Sequence, residues 1–132
     1  MKLCLKYKKG ILEKYQVDII KNFILSLQKD LPVKNDLTIR FLDKRVGKMT
    51  TGSFKNKTNE IKILTKDRML ADVLRTLSHE WAHCYDHEKL KIKDRRDIGG
   101  ESEDFANKKS GEITKKFIKS HPKLEDKIFK PV

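Results

Sequence analysis

LSHEWAHCYDHE, residues 77–88, carries three of the four histidines in the chain. His79 and His83 stand four apart, with Glu80 directly after the first. In an α-helix, positions four apart differ by about 40° in azimuth, so both rings point the same way. Two imidazoles placed like this can bind one Zn²⁺ tetrahedrally, each at about 2.0–2.1 Å. Glu80 is rotated by about 100° from His79. That offset carries it past the ion, where it can hold a water and act as general base rather than ligand. The chemistry therefore requires a helix here, and the rest of the chain is read outward from it.

The surrounding pattern supplies that helix. Leu70, Val73, Leu74, Leu77, Trp81 and Cys84 form one apolar stripe, which predicts a helix over roughly 66–90, capped by Thr65 or Asp67. The histidine pair lies off the stripe. Trp81 lies on it and is expected to be buried against a sheet. KIKDRRDIGG (91–100) reads as a polar connection with Gly99 and Gly100 as breakers. A further helix is expected over 101–119, carrying Phe105, Ala106, Ile113, Phe117 and Ile118 inward. HPKLEDKIFKPV (121–132) reads as a short last helix over 122–129.

Upstream, Ile11, Leu12, Tyr15, Ile19, Ile20, Phe23, Ile24 and Leu27 recur at helical spacing, predicting an amphipathic helix over 11–29 that ends at Asp30-Leu31-Pro32. LTIRFLD (37–43) alternates Leu37, Ile39 and Phe41 against Thr38 and Arg40, the pattern of a strand with one buried face. TTGSF (50–54) and NEIKILT (59–65) read as two more strands, joined by the polar KNKTN. The expected fold is α+β in a single domain over 1–132. A small mixed or antiparallel sheet of at least three strands would pack on the first helix, the HExxH helix and the last long helix.

Composition narrows the partners. The chain has 132 residues, 37% hydrophobic and 38% charged, with a formal net charge of +12. No apolar run approaches the ~20 residues of a membrane span. The start, MKLCLKYKKGILEKY, has no apolar leader region. Cys4 and Cys84 stand far apart, so no disulfide framework is expected and the cytoplasm is the default compartment. The charge suits an acidic protein or peptide, or a nucleic acid. Lysines scattered along the whole chain, in excess over arginine, fit a solvated surface better than a base-reading one.

A catalytic zinc usually takes three protein ligands and leaves one position open. The pentapeptide supplies two. His87, Glu101, Glu103 and His121 are the candidates for the third. A straight helix cannot wrap three successive turns around one ion, which sets His87 aside as a surface or supporting group.

HEWAH followed, after nineteen residues, by Glu103 resembles the gluzincin arrangement of metallopeptidases, an HExxH helix and a glutamate on a second helix. Glu103-Asp104-Phe105-Ala106-Asn107 also resembles the E-x-x-A-N stretch of ImmA/IrrE-like peptidases, and the size is similar to that of the minigluzincins. The likeness spans about residues 37–120. It implies a zincin-like fold, one Zn²⁺ on His79, His83 and Glu103, and Glu80 as the base of a zinc metalloendopeptidase. It also implies an edge strand just before the HExxH helix, which NEIKIL would supply and a peptide substrate would extend. Asn107 stands where thermolysin-like gluzincins usually carry Asp and would support a ligand histidine without a charge. Full-length gluzincins add a second subdomain with a Tyr or His that stabilises the tetrahedral intermediate. Tyr85 and His121 are the candidates for that part here. No helix-turn-helix pair is visible.

Two functions follow. The first is a peptidase of narrow or regulatory specificity, in one variant autoinhibited by the tail 121–132. The second is a basic nucleic-acid- or protein-binding domain on the same scaffold, its zinc structural or vestigial.

Overall fold

The structure is a computed structural model that describes residues 1–89 and 103–132 in full, and 90, 101 and 102 in backbone alone. The polar connection read at 91–100 lies outside the described residues. The elements run β1 (Leu3–Tyr7), α1 (Lys14–Asp30), β2 (Leu37–Leu42), β3 (Gly52–Lys55), β4 (Glu60–Leu64), α2 (Leu70–Leu90) and α3 (Glu101–Ser120). A 3-10 turn (Pro122–Leu124) and a short α4 (Glu125–Ile128) follow. The architecture is α+β, with four strands in the order β1-β2-β4-β3. β1, β2 and β4 are parallel, and β3 runs antiparallel to β4.

Strand β1 is not among the elements expected from the sequence, in which residues 1–10 are assigned to none. Its partner register, Leu3 with Leu37 through Tyr7 with Phe41, is set by a parallel pairing that no local pattern encodes. Parallel strands need a crossover, and α1 provides it between β1 and β2. Ile11 and Leu12 precede α1 rather than opening it. The helix begins where the Gln16 side chain accepts the Glu13 N–H at 2.9 Å, a reciprocal cap. It buries Val17, Ile20, Phe23, Ile24 and Leu27 and ends at Asp30, as the Leu-Pro pair requires.

Two corrections bear on the site. β4 is not an edge strand: β2 and β3 flank it on both sides, and the edges are β1 and β3. The hairpin puts β3 outside β4 with Gly52 opposite Ile63. The second concerns α2, which starts at Leu70 rather than 66. Thr65 does not cap it, since its hydroxyl donates to the Leu42 carbonyl at 3.0 Å. Asp67 sits in a turn at φ +60°. The first helical N–H, from Leu70, goes instead to the Lys130 carbonyl at 2.9 Å, and the Val132 N–H returns to the Arg68 carbonyl at 2.9 Å. The tail thus pairs with residues 68–70, and its Ile128 is fully buried.

One apolar cluster joins the inner faces of β2 and β4 to α1, α2 and α3. Leu37, Ile39, Phe41, Ile61 and Ile63 supply the sheet side, and Leu70, Val73, Leu74, Leu77 and Trp81 the α2 side. Phe23 of α1 meets Phe117 of α3 edge-on at 5.1 Å. The outer sheet face is polar. Lys6, Arg40 and Lys62 stand in register across three strands, and Glu60 bridges Arg40 at 2.7 Å and Lys62 at 3.6 Å. The Arg40 hydrogen bond holds the Glu60 carboxyl below its usual range. No helix among the described residues is long and apolar enough to cross a membrane.

Trp81 is wholly buried and its indole N–H donates to the Leu31 carbonyl at 2.8 Å, which closes the end of α1. Trp81→Ala should cost about 3–5 kcal/mol from the lost volume. Trp81→Phe should recover most of that and leave a deficit of about 1–3 kcal/mol from the orphaned carbonyl. Urea unfolding of the two variants separates the terms. Equal stability of wild type and Trp81→Ala would refute the packing.

Candidate metal centre

The α2 stripe faces the core, which turns the opposite edge of the helix toward α3. His79 and His83 emerge there with side chains 21% and 17% exposed. Their Nε2 atoms lie 3.2 Å apart. The Glu103 carboxylate, from the first turns of α3, reaches both: Oε2 is 3.4 Å from His79 Nε2, and Oε1 is 2.7 Å from His83 Nε2. His79, His83 and Glu103 are thus gathered as a three-donor cluster able to hold a metal ion.

The fit can be tested on these distances. Tetrahedral coordination with bonds of 2.0–2.1 Å separates neighbouring donor atoms by about 3.3 Å. The three edges here, 3.2, 3.4 and 2.7 Å, bracket that value. Burial, and after it the neighbouring His83, holds His79 below the usual imidazole value. A neutral ring is the form that offers a lone pair to a metal.

Glu80 occupies the position its offset requires. Its Oε2 is 4.0 Å from His79 Nε2, so it borders the cluster. It is nine-tenths buried, and burial, reinforced by the Glu103 charge, pushes its carboxyl up to about 7. What buries it is partly Gly52. A Cβ on that glycine would sit 2.4 Å from Thr76 Cγ2 and 3.3 Å from Glu80 Cγ. Strand β3 therefore lies directly on α2 beside the cluster, and only glycine permits the approach. The sequence reading placed Gly52 in a strand without seeing this; a lone glycine inside a strand pattern was the available signal.

A cleft of about 540 Å³ opens over the cluster. It is lined by Thr50, Thr51 and Gly52 from the β3 side, by Arg68, Arg75 and Thr76 before and along α2, and by Asn107 and Ser110 from α3, besides His79, Glu80 and Glu103. Asn107 thus shares the cleft with His79. The other candidates lie elsewhere. Tyr85 stacks on Phe105 at 6.2 Å under Lys89 and does not line the cleft. His121 follows the far end of α3, roughly 27 Å along the axis from Glu103. There its Nδ1 is bonded to the Phe117 carbonyl at 2.9 Å. His87 is exposed and faces Phe54 at 6.1 Å. The Glu101 side chain lies outside the described residues. The tail is not among the residues that line the cleft and pairs instead with residues 68–70.

Two outcomes follow. Glu103→Ala should lose stoichiometric metal and the metal-dependent rise in melting temperature, whereas Glu101→Ala should keep both, as read by elemental analysis and calorimetry. The reverse result would make Glu101 the ligand. Gly52→Ala should destabilise by about 1–3 kcal/mol through overpacking. Adding Thr76→Ser, which removes the clashing methyl, should recover most of it. A double-mutant cycle reads this coupling, and strict additivity would place β3 elsewhere.

Comparison of the chain with protein-family models, with curated proteins and with solved structures found no match.

Proposed function

We propose that this protein is a zinc-dependent metallopeptidase, with His79, His83 and Glu103 as zinc ligands and Glu80 as general base. The observation that carries the reading is Glu80. A purely structural metal site has no need of a buried carboxylate standing beside its ligands without joining them. Here such a group borders the cluster at 4.0 Å, and its carboxyl is raised to about 7. A proton acceptor is most effective when its pKa lies near the operating pH.

When bound, zinc supplies Lewis-acid polarisation of the scissile carbonyl and makes a nearby water more acidic. The chain's own residues do the rest. Glu80 takes a proton from the attacking water and delivers it to the departing amine. The close approach of β3 at Gly52 packs against the Glu80 side chain and leaves no room for a bulkier residue there. β3 is the exposed edge next to the cleft, so an extended substrate would add to β3 rather than to β4. Two histidines and one carboxylate also suit ferrous iron, so the metal is to be identified by elemental analysis of protein purified without chelator.

A second reading, a nucleic-acid-binding domain with a structural metal, draws on the in-register cations Lys6, Arg40 and Lys62. Glu60 already engages two of the three, which weakens that surface.

Glu80→Gln separates the readings. It removes no ligand and little volume, and the amide cannot accept the proton at neutral pH. The variant should keep its fold and its zinc, and should lose cleavage by about 10²–10⁴ or more. New peptide termini in a cell lysate, compared between wild type and Glu80→Gln, give the readout. Metal loss in Glu80→Gln would make Glu80 a ligand. Equal cleavage by both proteins, or none by zinc-loaded wild type, would overturn the peptidase reading.

A further inference from the structure

Helix α2 carries Arg75, His79 and His83 at four-residue spacing, so the three side chains form one row. His79 and His83 belong to the donor cluster. Arg75 lies one turn earlier, about 6 Å along the axis. It is exposed and lines the cleft. Among the described residues its guanidinium has no hydrogen bond and no ion pair.

The other arginine of the cleft is different. Arg68 Nη1 donates to the Leu64 carbonyl at 2.8 Å, and its Nη2 donates to the Asp72 carbonyl at 3.0 Å and to Thr76 Oγ1 at 2.7 Å. Burial holds its pKa below the usual guanidinium value, and the Asp72 charge opposes that shift. Arg68 is a strut that fixes the start of α2. Among the described residues the acids lining the cleft are Glu80, which borders the cluster, and Glu103, which belongs to it. Among the described residues, what remains is one cation with five donors and no acceptor, on a residue one helical turn from the donor triad.

We propose that Arg75 selects the ligand of this cleft by receiving a carboxylate on an extended peptide, one or two residues from the bond that lies over His79, His83 and Glu103. The assignment rests on the metallopeptidase reading. Its geometry follows from two rises. One helical turn covers about 6 Å, and an extended chain covers about 3.3–3.6 Å per residue, so the row spans about two substrate residues. The long arginine side chain also reaches the nearer neighbour. A guanidinium fork matches a carboxylate with two parallel hydrogen bonds, which neither an amide nor a hydroxyl reproduces. The carboxylate can belong to an Asp or Glu side chain or to a peptide C-terminus, since the recognising chemistry is the same.

The test uses the 132-residue, zinc-loaded Glu80→Gln chain, which holds a peptide without turning it over, alone and combined with Arg75→Ala or Arg75→Glu. The probes are short fluorescent peptides with Glu, Gln or Lys at each position in turn, each made as a free acid and as a C-terminal amide. Anisotropy gives the affinities. At one position the Glu peptide should bind about tenfold or more tightly than its Gln counterpart. Arg75→Ala should abolish that preference, and Arg75→Glu should transfer it to Lys. A preference kept by the amides assigns the carboxylate to a side chain. A preference lost on amidation assigns it to the C-terminus. Melting temperatures unchanged by the Arg75 substitutions exclude misfolding as the cause. The same peptides are then incubated with zinc-loaded wild type and their fragments weighed. Cleavage without a carboxylate preference overturns the role of Arg75 and leaves the peptidase standing. Discrimination in binding without cleavage overturns the peptidase and leaves the role of Arg75. Equal affinities in the presence and absence of Arg75, or no binding by any peptide, overturn it outright.

Discussion

Ser78 lies fully buried between α2 and α3, and its hydroxyl is where the two helices are locked. It donates back to the Arg75 carbonyl at 3.0 Å and meets the Ser110 carbonyl and the Thr114 hydroxyl, each at 3.3 Å. Ser110 and Thr114 share a face of α3 with Ala106, Ile113 and Phe117, all buried. Glu103 precedes Ser110 by two helical turns and so lies on that same face. Once Ser110 is held against Ser78, the height of Glu103 over His79 and His83 is no longer free. Sliding α3 by one turn, about 5.4 Å, would carry the carboxylate away from both rings. A network of neutral hydroxyls deep in the interface thus sets the geometry of the charged cluster at its rim.

How much of this was legible depends on how local each feature is. The histidine pair and the offset of Glu80 are properties of a single helix, so residue spacing was enough to find them. The stripe through Leu70, Leu74, Leu77 and Trp81 was visible for the same reason. Glu103 is different. Helix geometry sets His87 aside but leaves Glu103 level with Glu101 and His121, and only a resemblance singles it out. The structure accounts for that difficulty, because its position depends on Ser78, Ser110 and Thr114 meeting across two helices.

The misreadings share one physical origin. β1 is five residues long, and its pairing with β2 is parallel and non-local. NEIKIL was read as an edge because it precedes α2, yet the hairpin folds β3 outside it. Thr65 and Asp67 are cap-forming residue types in the right place, yet the acceptor that α2 uses comes from Lys130, sixty residues on. Gly52 and Arg75 sit in local patterns, a glycine within a strand and a cation one turn before His79, that do not by themselves disclose what each meets. One matters for the space it leaves and the other for having no partner among the described residues, and both are properties of the assembled cleft.

That distant acceptor has a consequence for how the protein is made. The opening turn of α2 is closed by Lys130, and the Val132 N–H seals Arg68 beside it. Synthesis is vectorial and runs at about 5–20 residues per second. The histidines therefore leave the ribosome well before the residues that complete their helix. A nascent chain stalled short of residue 130 would carry HEWAH on a helix whose first turn lacks its acceptor, so the donor cluster gains its full support only as translation of this segment finishes.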